Sequence, residues 1–585
     1  MTTPATPCDL LVVGGGPAGL AAALAAAPAH RVLLAESGSQ LGGLARTLEY
    51  DGNLLDVGGH RFLTEDPQVQ ALWRDLLGDE LREVPRQSRI LYQGRTFEYP
   101  LQVFDALSKL GPIQSLRVVA SYLRSLLRPV RGGHDLESWL VARFGWQLYR
   151  IFFKSYSEKL WGRPCSKIHA SWASQRIRGL SLARAAYAAL TRRSDERTLA
   201  DRFLYPSRGP GQMWQAMADR IEAAGGEIWL DAEVTEFQHN GSRITEVAVL
   251  RRGERLRLQP RQVIATAPLT SLLHRVRPAP PDEVQAAASM LAHRAFVVVH
   301  LIVAVRDLFR DQWLYVHSPQ VQVGRIQNIG NWSPDMVREA GTSVLGFEYF
   351  CDVDDPLWSR TDASMVQLAV DEGVQLGLLR PETVLSGHVV REPHAYPVYP
   401  LDLEARLRRV RDYLGQLKNL RVAGRSAQHR YGNMDEAMIA GQQAARSIDD
   451  PTLATWPEEM PASLVDALPA QARAVLVRTF ARLDEFSFAL ASGAVLGLLL
   501  LAMTLTLVVK GGERVGPTLS LLVHYLPGYS VTYQGAVTAL GLGLLWGFLF
   551  GWLFATVRNL LLAAHVFGAL RKARGWTLRH FLDQL

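Results

Sequence analysis

Cysteine and lysine are both scarce in this chain. Its three cysteines, Cys8, Cys165 and Cys351, lie far apart and form no CxxC pair, which excludes a disulfide framework and a cysteine-based zinc site and points to a reducing compartment. Seven lysines stand against 56 arginines, and none lies between Lys167 and Lys418. No Lys or Arg precedes the apolar stretch Asp9 to Ala27, so that stretch lacks the charged flank of a signal peptide. Charged residues at 20% and aromatics at 9% exclude a disordered chain. A length of 585 residues, at roughly 150 per domain, leaves room for separate cofactor and substrate modules.

Apolar sequence is abundant near the C-terminus. Phe486 to Val509 and Ala536 to Val557 carry no charge, and each exceeds the ~20 residues a helix needs to cross a hydrocarbon core. Residues 471–585 hold ten basic and four acidic residues, so they account for +6 of the net +7. The first 470 residues are nearly neutral, and the basic excess gives no reason to expect nucleic acid as a partner. Arg473, Arg478 and Arg482 precede the first run, and Arg558, Arg571, Lys572, Arg574 and Arg579 follow the second. Lys510 and Arg514 are the positive charges between them. The positive-inside rule then predicts a multi-pass protein of the cytoplasmic (inner) membrane, a two-helix transmembrane hairpin with both termini and the large N-terminal part in the cytoplasm. The lipid bilayer is thus an expected partner; the oligomeric state is left open.

At the other end, Leu10 to Val13 reads as a buried strand. Gly14-Gly15-Gly16-Pro17-Ala18-Gly19 follows as a turn opening a helix, and a second strand, Arg31 to Ala35, ends at Glu36. In this βαβ setting Gly14 permits the tight turn, Gly16 lets the backbone approach a pyrophosphate at the helix N-terminus, and Gly19 allows close helix–strand packing. Glu36, 22 residues after Gly14, can accept hydrogen bonds from a ribose.

Gly42-Gly43, Arg46-Thr47 and Asp56-Val57-Gly58-Gly59-His60 come next, and here the chain resembles the flavoprotein superfamily of amine oxidoreductases, protoporphyrinogen oxidases and UDP-galactopyranose mutases. The resemblance implies non-covalent FAD, with the Gly-Gly-x-x-Arg run along its diphosphate. It extends to Asp231-Ala232-Glu233-Val234, matching a hairpin that meets the adenine, and to Ala265-Thr266-Ala267-Pro268. Gly424-Arg425 and Tyr431 to Asp435, with Met434 and Asp435 opening a helix, match the C-terminal FAD segment. The fold class expected is α/β: a Rossmann-like FAD-binding domain of glutathione-reductase type with an inserted α+β substrate domain and the C-terminal hairpin. Residues 1–100, 201–274 and 401–448 are expected to form the first, 101–200 and 275–400 the second, 449–470 a linker, and 471–585 the membrane domain.

Two chemistries follow from the resemblance. An oxidoreductase takes a hydride from its substrate; the amine-oxidase branch commonly sets a lysine near flavin N5, and the lysine-free span from 167 to 418 departs from that pattern. The segment Phe152-Phe153-Lys154-Ser155-Tyr156-Ser157-Glu158-Lys159-Leu160-Trp161-Gly162 looks like the aromatic segment that lines the sugar-nucleotide pocket of the mutases, in which N5 of reduced FAD attacks an anomeric carbon with no net redox change. Phe152, Phe153, Tyr156 and Trp161 are the substrate-binding candidates, although the same aromatics also suit the buried face of a helix. Tyr396-Pro397 adds to the mutase likeness, whereas Tyr205-Pro206-Ser207-Arg208-Gly209-Pro210-Gly211 is similar to protoporphyrinogen-oxidase-like proteins. Arg176, Arg178, Arg325 and Arg391 are candidates for clamping a diphosphate, and His60 and His429 for moving a proton; no catalytic residue is assigned, and His60, Arg176, Arg325, Tyr396 and His429 are the candidates. The expected substrate is a small-molecule or lipid-linked sugar, with NAD(P)H a candidate reductant. A true oxidase or dehydrogenase acting on a lipid-phase substrate, and a non-catalytic FAD-binding membrane scaffold, are the alternatives.

Overall fold

The computed structural model describes residues 6–99, 101–127, 135–170, 202–450, 452–453, 456, 483–511 and 518–582. It divides into two compact units, Met1–Glu458 and Glu459–Leu585.

Two sheets organise the first unit. At the centre of one, Thr6–Val13 pairs in parallel with Val32–Ala35 on one side and with Glu254–Ala265 on the other. Leu10, Leu11 and Val12 are fully buried, as a strand covered on both faces requires. The long strand Glu254–Ala265 changes partner along its length. Its first half pairs antiparallel with Ile244–Arg251, which continues to Ala232–His239, while its end takes Leu420–Val422 in parallel.

The helix Pro17–Ala26, apolar on every side, is enclosed between this sheet and the helix Met434–Asp449. All of its residues from Ala18 to Ala23 are buried. The glycine turn, the 232–265 meander and the 420–449 segment therefore converge on one corner.

The second sheet runs Val384–Pro397, His293–Val303, Ser343–Cys351, Arg325–Asn328, Trp313–Val316, Ser88–Tyr92 and Arg95–Glu98. Residues 88–98, expected in the first module, instead extend this sheet, because Trp313–Val316 takes Ser88–Tyr92 as its parallel neighbour. Strand alternation divides its side chains between two faces. Val297, Val299, Leu301, Leu314, Val316, Ile326, Leu345, Phe347 and Tyr349 pack under the helix Asp362–Gln375. Phe296, His300, Trp313, Tyr315, Arg325, Gln327, Glu348 and Phe350 therefore project from the opposite face.

In the second unit, the helices Glu485–Lys510 and Tyr533–Leu582 are antiparallel partners. Two stretches, Glu485–Lys510 and Tyr533–Asn559, are long and apolar enough to cross a membrane, and only 17% and 22% of their most apolar windows are buried within the protein. The second helix continues past the expected end at Val557 to Leu582. Gly493 and Gly497 of one helix face Gly543 and Gly547 of the other, so close that a Cβ on Gly543 would stand 2.7 Å from Gly497 Cα, and Gly551 faces Ser492 and Ala489. Large side chains such as Leu490, Val495, Leu498, Phe550 and Leu553 point outward. Below this seam the Asn559 side-chain amide clasps the Leu483 backbone, accepting from its N–H at 3.0 Å and donating to its carbonyl at 2.9 Å.

Candidate active site

Gly14 ends the central strand in the left-handed region, at φ +104°, where a Cβ would meet Thr266 Oγ1 at 2.5 Å. Gly16 caps the helix Pro17–Ala26 without a side chain, leaving the first-turn N–H groups free to face an anion. The nearest atom to a Cβ built on Gly16 is Gly43 Cα at 3.9 Å, so the two glycine turns face each other across an open groove. Pro17 occupies the first turn, where its missing N–H costs nothing. Glu36 Oε2 accepts the Gly15 N–H at 2.6 Å, and Oε1 accepts both the Gly38 N–H at 2.7 Å and the Ser37 hydroxyl at 3.2 Å, which fixes the carboxylate while Oε2 keeps a lone pair for a hydroxyl. The Ala232 N–H donates to the Glu36 carbonyl at 2.8 Å, bringing the start of the Val234 strand to this corner.

Farther along, Arg46 is held by the Gly43 carbonyl (2.9 Å) and by Glu392. Gly424, at φ +94°, abuts Ala18, and Met434–Asp449 opens with an Asn433–Glu436 capping box. Asp435 Oδ1 is buried without a protein partner. Burial holds this carboxyl above its usual range, opposed by a hydrogen bond from Thr64. An open glycine groove, an oriented Glu36 and an orphaned polar atom at a helix start fit an extended dinucleotide cofactor.

Gly58 and Gly59 turn toward the second sheet, where a Cβ on Gly59 would strike Trp332 at 2.9 Å. His60 Nδ1 binds the Gly58 carbonyl oxygen at 2.9 Å, and burial, reinforced by the Arg425 charge, lowers its pKa to about 4. His60 is therefore neutral near pH 7. Facing it is Arg325, whose Nε donates to Glu348 Oε2 at 2.7 Å and whose guanidinium donates to the Tyr396 hydroxyl at 2.5 Å. The same guanidinium lies 4.6 Å from the Trp313 ring and 4.9 Å from Phe350. Tyr396 and Tyr431 stack at 6.0 Å and 11°, with Arg425 against both rings. Next along the sheet, Trp313, Tyr315 and Tyr99 form a ladder of stacked rings, Tyr315 to Tyr99 at 4.2 Å, and Tyr156 meets Tyr315 edge-on at 5.6 Å.

The aromatic segment divides accordingly. Tyr156 reaches the ladder and stacks on His317. Phe152 is buried edge-on to Phe97, Phe153 stacks on Phe144, and Trp161 is fully buried. These three are core packing, which corrects their reading as substrate contacts. Lys159 within the stretch and Arg294 on the strand His293–Val303 hold it in place. Lys159 Nζ donates to the carbonyls of Val316, Ser318 and Val323 at 3.3, 2.8 and 3.0 Å. Buried Arg294 donates to the Leu160 and Lys159 carbonyls at the end of the helix Ser155–Trp161 and pairs with Asp352 at 2.7 Å.

Two other candidates are corrected by their partners. Arg391 is spent on Asp362 and the carbonyls of Trp358 and Arg360. His429 binds the Val398 carbonyl at 3.1 Å and packs edge-on to His293, so its contacts are structural rather than those of a proton relay. Arg176 and Arg178 lie outside the described residues. Alternation in Trp313-Leu314-Tyr315-Val316 and Arg325-Ile326-Gln327 is the sequence signal that could have identified the site face.

The fold and this cleft define a flavin-dependent enzyme. Residues 17–449 match the model of the flavin containing amine oxidoreductases, and the chain belongs to that family. Among solved structures it is similar to a reduced UDP-galactopyranose mutase, at 20% identity and TM-score 0.68, covering 77% of this chain and 97% of that one. A protein described as a protoporphyrinogen oxidase from Exiguobacterium sp. 255-15 matches at 19% identity and TM-score 0.59 over 76% and 99% of the two chains. A putrescine oxidase bound to putrescine matches at 18% and 0.52 over 76% and 100%.

Proposed function

We propose that the flavin is FAD and that the enzyme is a membrane-anchored flavoenzyme acting on a sugar nucleotide or a lipid-linked sugar in the manner of a UDP-galactopyranose mutase. The observation that carries this reading is the Trp313–Tyr315–Tyr99 ladder, joined by Tyr156 and set beside Arg325 and the Gly58–Gly59–His60 turn. Stacked aromatic faces suit a base or a sugar ring. FAD suits the Glu36 corner, where a ribose hydroxyl can donate, and the Gly16–Gly43 groove, where a diphosphate meets free N–H groups. When bound, the flavin supplies either a nucleophilic N5 or a hydride acceptor. The protein supplies position, a dry aromatic wall and the Arg325 charge. Lys159, the lysine nearest this wall in the aromatic segment, is consumed by three carbonyls and is unavailable for the amine-oxidase role.

The two membrane-length helices favour anchoring at the inner membrane with the catalytic unit in the cytoplasm, which confines enzyme and lipid-linked substrate to one surface. The parallel Tyr396 and Tyr431 rings favour the second reading, a dehydrogenase whose flat substrate lies against an aromatic face.

The deciding experiment is to reduce the purified protein anaerobically with dithionite or NAD(P)H and then offer sugar nucleotides and lipid-linked sugars. Isomerisation while the flavin stays reduced is the expected result. Flavin that changes redox state in step with substrate establishes the dehydrogenase instead.

A further inference from the structure

Several arginines that are buried or half-buried on the second sheet and its borders are held by carboxylates. Arg325 pairs with Glu348, Arg294 with Asp352, Arg46 with Glu392, and Arg89 with Asp311 at 2.6 Å. A buried guanidinium costs several kcal/mol of desolvation unless a carboxylate compensates it, and these four conform. Arg61 and Arg86 form no ion pair among the described residues.

Arg61 donates to Ser88 Oγ at 2.6 Å, and its guanidinium sits 5.3, 5.5 and 5.6 Å from the Phe203, Trp332 and Trp313 rings. Its Nε is buried without a partner, as is that of Arg86. Burial lowers the Arg61 pKa, and the Arg86 charge lowers it further. Arg86 lies 5.8 Å over the ring of Tyr99. Both cations thus border the same ladder, Arg61 at its Trp313 end and Arg86 at its Tyr99 end. The surrounding rings retain the charges but cannot accept the hydrogen bonds that a guanidinium fork offers.

We propose that Arg61 and Arg86 form a receptor for an oxyanion, a phosphate or carboxylate group, borne by a substrate whose body lies along the Trp313–Tyr315–Tyr99 ladder. The proposal rests on the reading of this ladder as the substrate wall. It adds the charge class of the substrate and two residues that fix its orientation.

The test uses the full chain, purified in detergent with its flavin, titrated calorimetrically with inorganic pyrophosphate and, separately, with glutarate. One probe binds with one-to-one stoichiometry, and the tighter of the two tells phosphate from carboxylate. Arg86→Gln weakens that binding by about tenfold or more, the scale of a charge-assisted hydrogen bond, without changing flavin content. Arg61→Lys keeps the buried charge but loses the fork, and weakens binding at unaltered thermal stability. Exposed Arg310→Gln binds as the wild type does. Absence of binding by either probe to the wild type, or wild-type affinity in both Arg86→Gln and Arg61→Lys, overturns the receptor. A receptor that behaves as described in an enzyme that isomerises no sugar refutes the mutase reading and leaves the receptor standing.

Discussion

Gly441 rests on Ala18: a Cβ at position 441 would stand 2.0 Å from the Ala18 carbonyl oxygen. The contact joins the helix Met434–Asp449 to the helix that follows the glycine turn, so the close packing of these two helices depends on one missing methyl. Gly441→Ala is expected to cost about 1–3 kcal/mol through overpacking and to lower the flavin retained per protein. Gly341→Ala, where a Cβ meets nothing within 4 Å, leaves both unchanged. Thermal unfolding and the visible flavin absorbance of the purified proteins measure the difference; equal behaviour of the two variants would falsify the packing argument.

Arg325 and Glu348 form the buried charge pair under the Gly58–Gly59 turn. Burial pushes the Glu348 carboxyl up, and Arg325 opposes that shift. Removing either partner strands the other, so Glu348→Gln and Arg325→Met are each expected to destabilise by about 3–5 kcal/mol. The double variant loses clearly less than the sum of the two. A denaturant double-mutant cycle reads this coupling, and strict additivity would show that the charges act independently.

The glycine turn and the Glu36 corner are legible in the sequence because their constraints are local. Gly14, Gly16 and Gly19 are demanded by a turn and a close helix, and Glu36 follows at the end of the next strand. The aromatic face of the second sheet is legible only in outline. Trp313, Tyr315, Arg325 and Glu348 lie on neighbouring strands that are also close in sequence, but only the fold brings Tyr99 and Tyr156 against them from far along the chain, and nothing local distinguishes Glu348 from any acid in an apolar strand. The aromatic segment misled for a related reason: Phe152, Tyr156 and Trp161 are equally aromatic, and the fold alone decides which face of the segment each occupies. Residues 88–98 join the second sheet through a parallel partner, Trp313–Val316, that lies more than two hundred residues away, beyond the reach of any local signal.

Five histidines, three buried and two half-buried, should make the protein acid-sensitive. Burial lowers the pKa of His60, His300 and His429 to about 4, of His317 to about 3 and of His293 to about 2. In the unfolded chain each titrates near 6.5. As pH falls below about 6.5 the unfolded state takes up protons first, so stability drops toward pH 4, with a limit of about 1.4 kcal/mol per pH unit for each histidine. His300→Gln is expected to flatten that slope between pH 6.5 and 4, although it also loses the 3.0 Å contact with the Asp56 carbonyl. Unfolding midpoints across that range test it; an unchanged slope would mean that His300 is already charged in the native state.

The glycines of the C-terminal hairpin lead to the last prediction. In a bilayer, helices gain nothing from hiding apolar surface from lipid, so association depends on close contact along small residues. A Cβ at Gly547 would stand 2.7 Å from the Ser492 carbonyl oxygen, and one at Gly493 would stand 2.6 Å from that of Leu544. Leu498 and Phe550 face outward and contribute little to this seam. Gly547→Leu is therefore expected to spread the two helices by several ångström without removing either apolar span, while Leu498→Ala leaves their spacing unaltered. Spin labels at the outward positions Val495 and Leu545, with the full chain in lipid nanodiscs, report the separation by pulsed electron resonance. An unchanged distance in Gly547→Leu would mean that the clasp of Asn559 on Leu483 holds the hairpin without the glycine seam. Combining Gly547→Leu with Asn559→Leu then distinguishes the two sources: parting of the helices only in the double variant assigns the hold to the clasp, and parting in the single variant assigns it to the glycines.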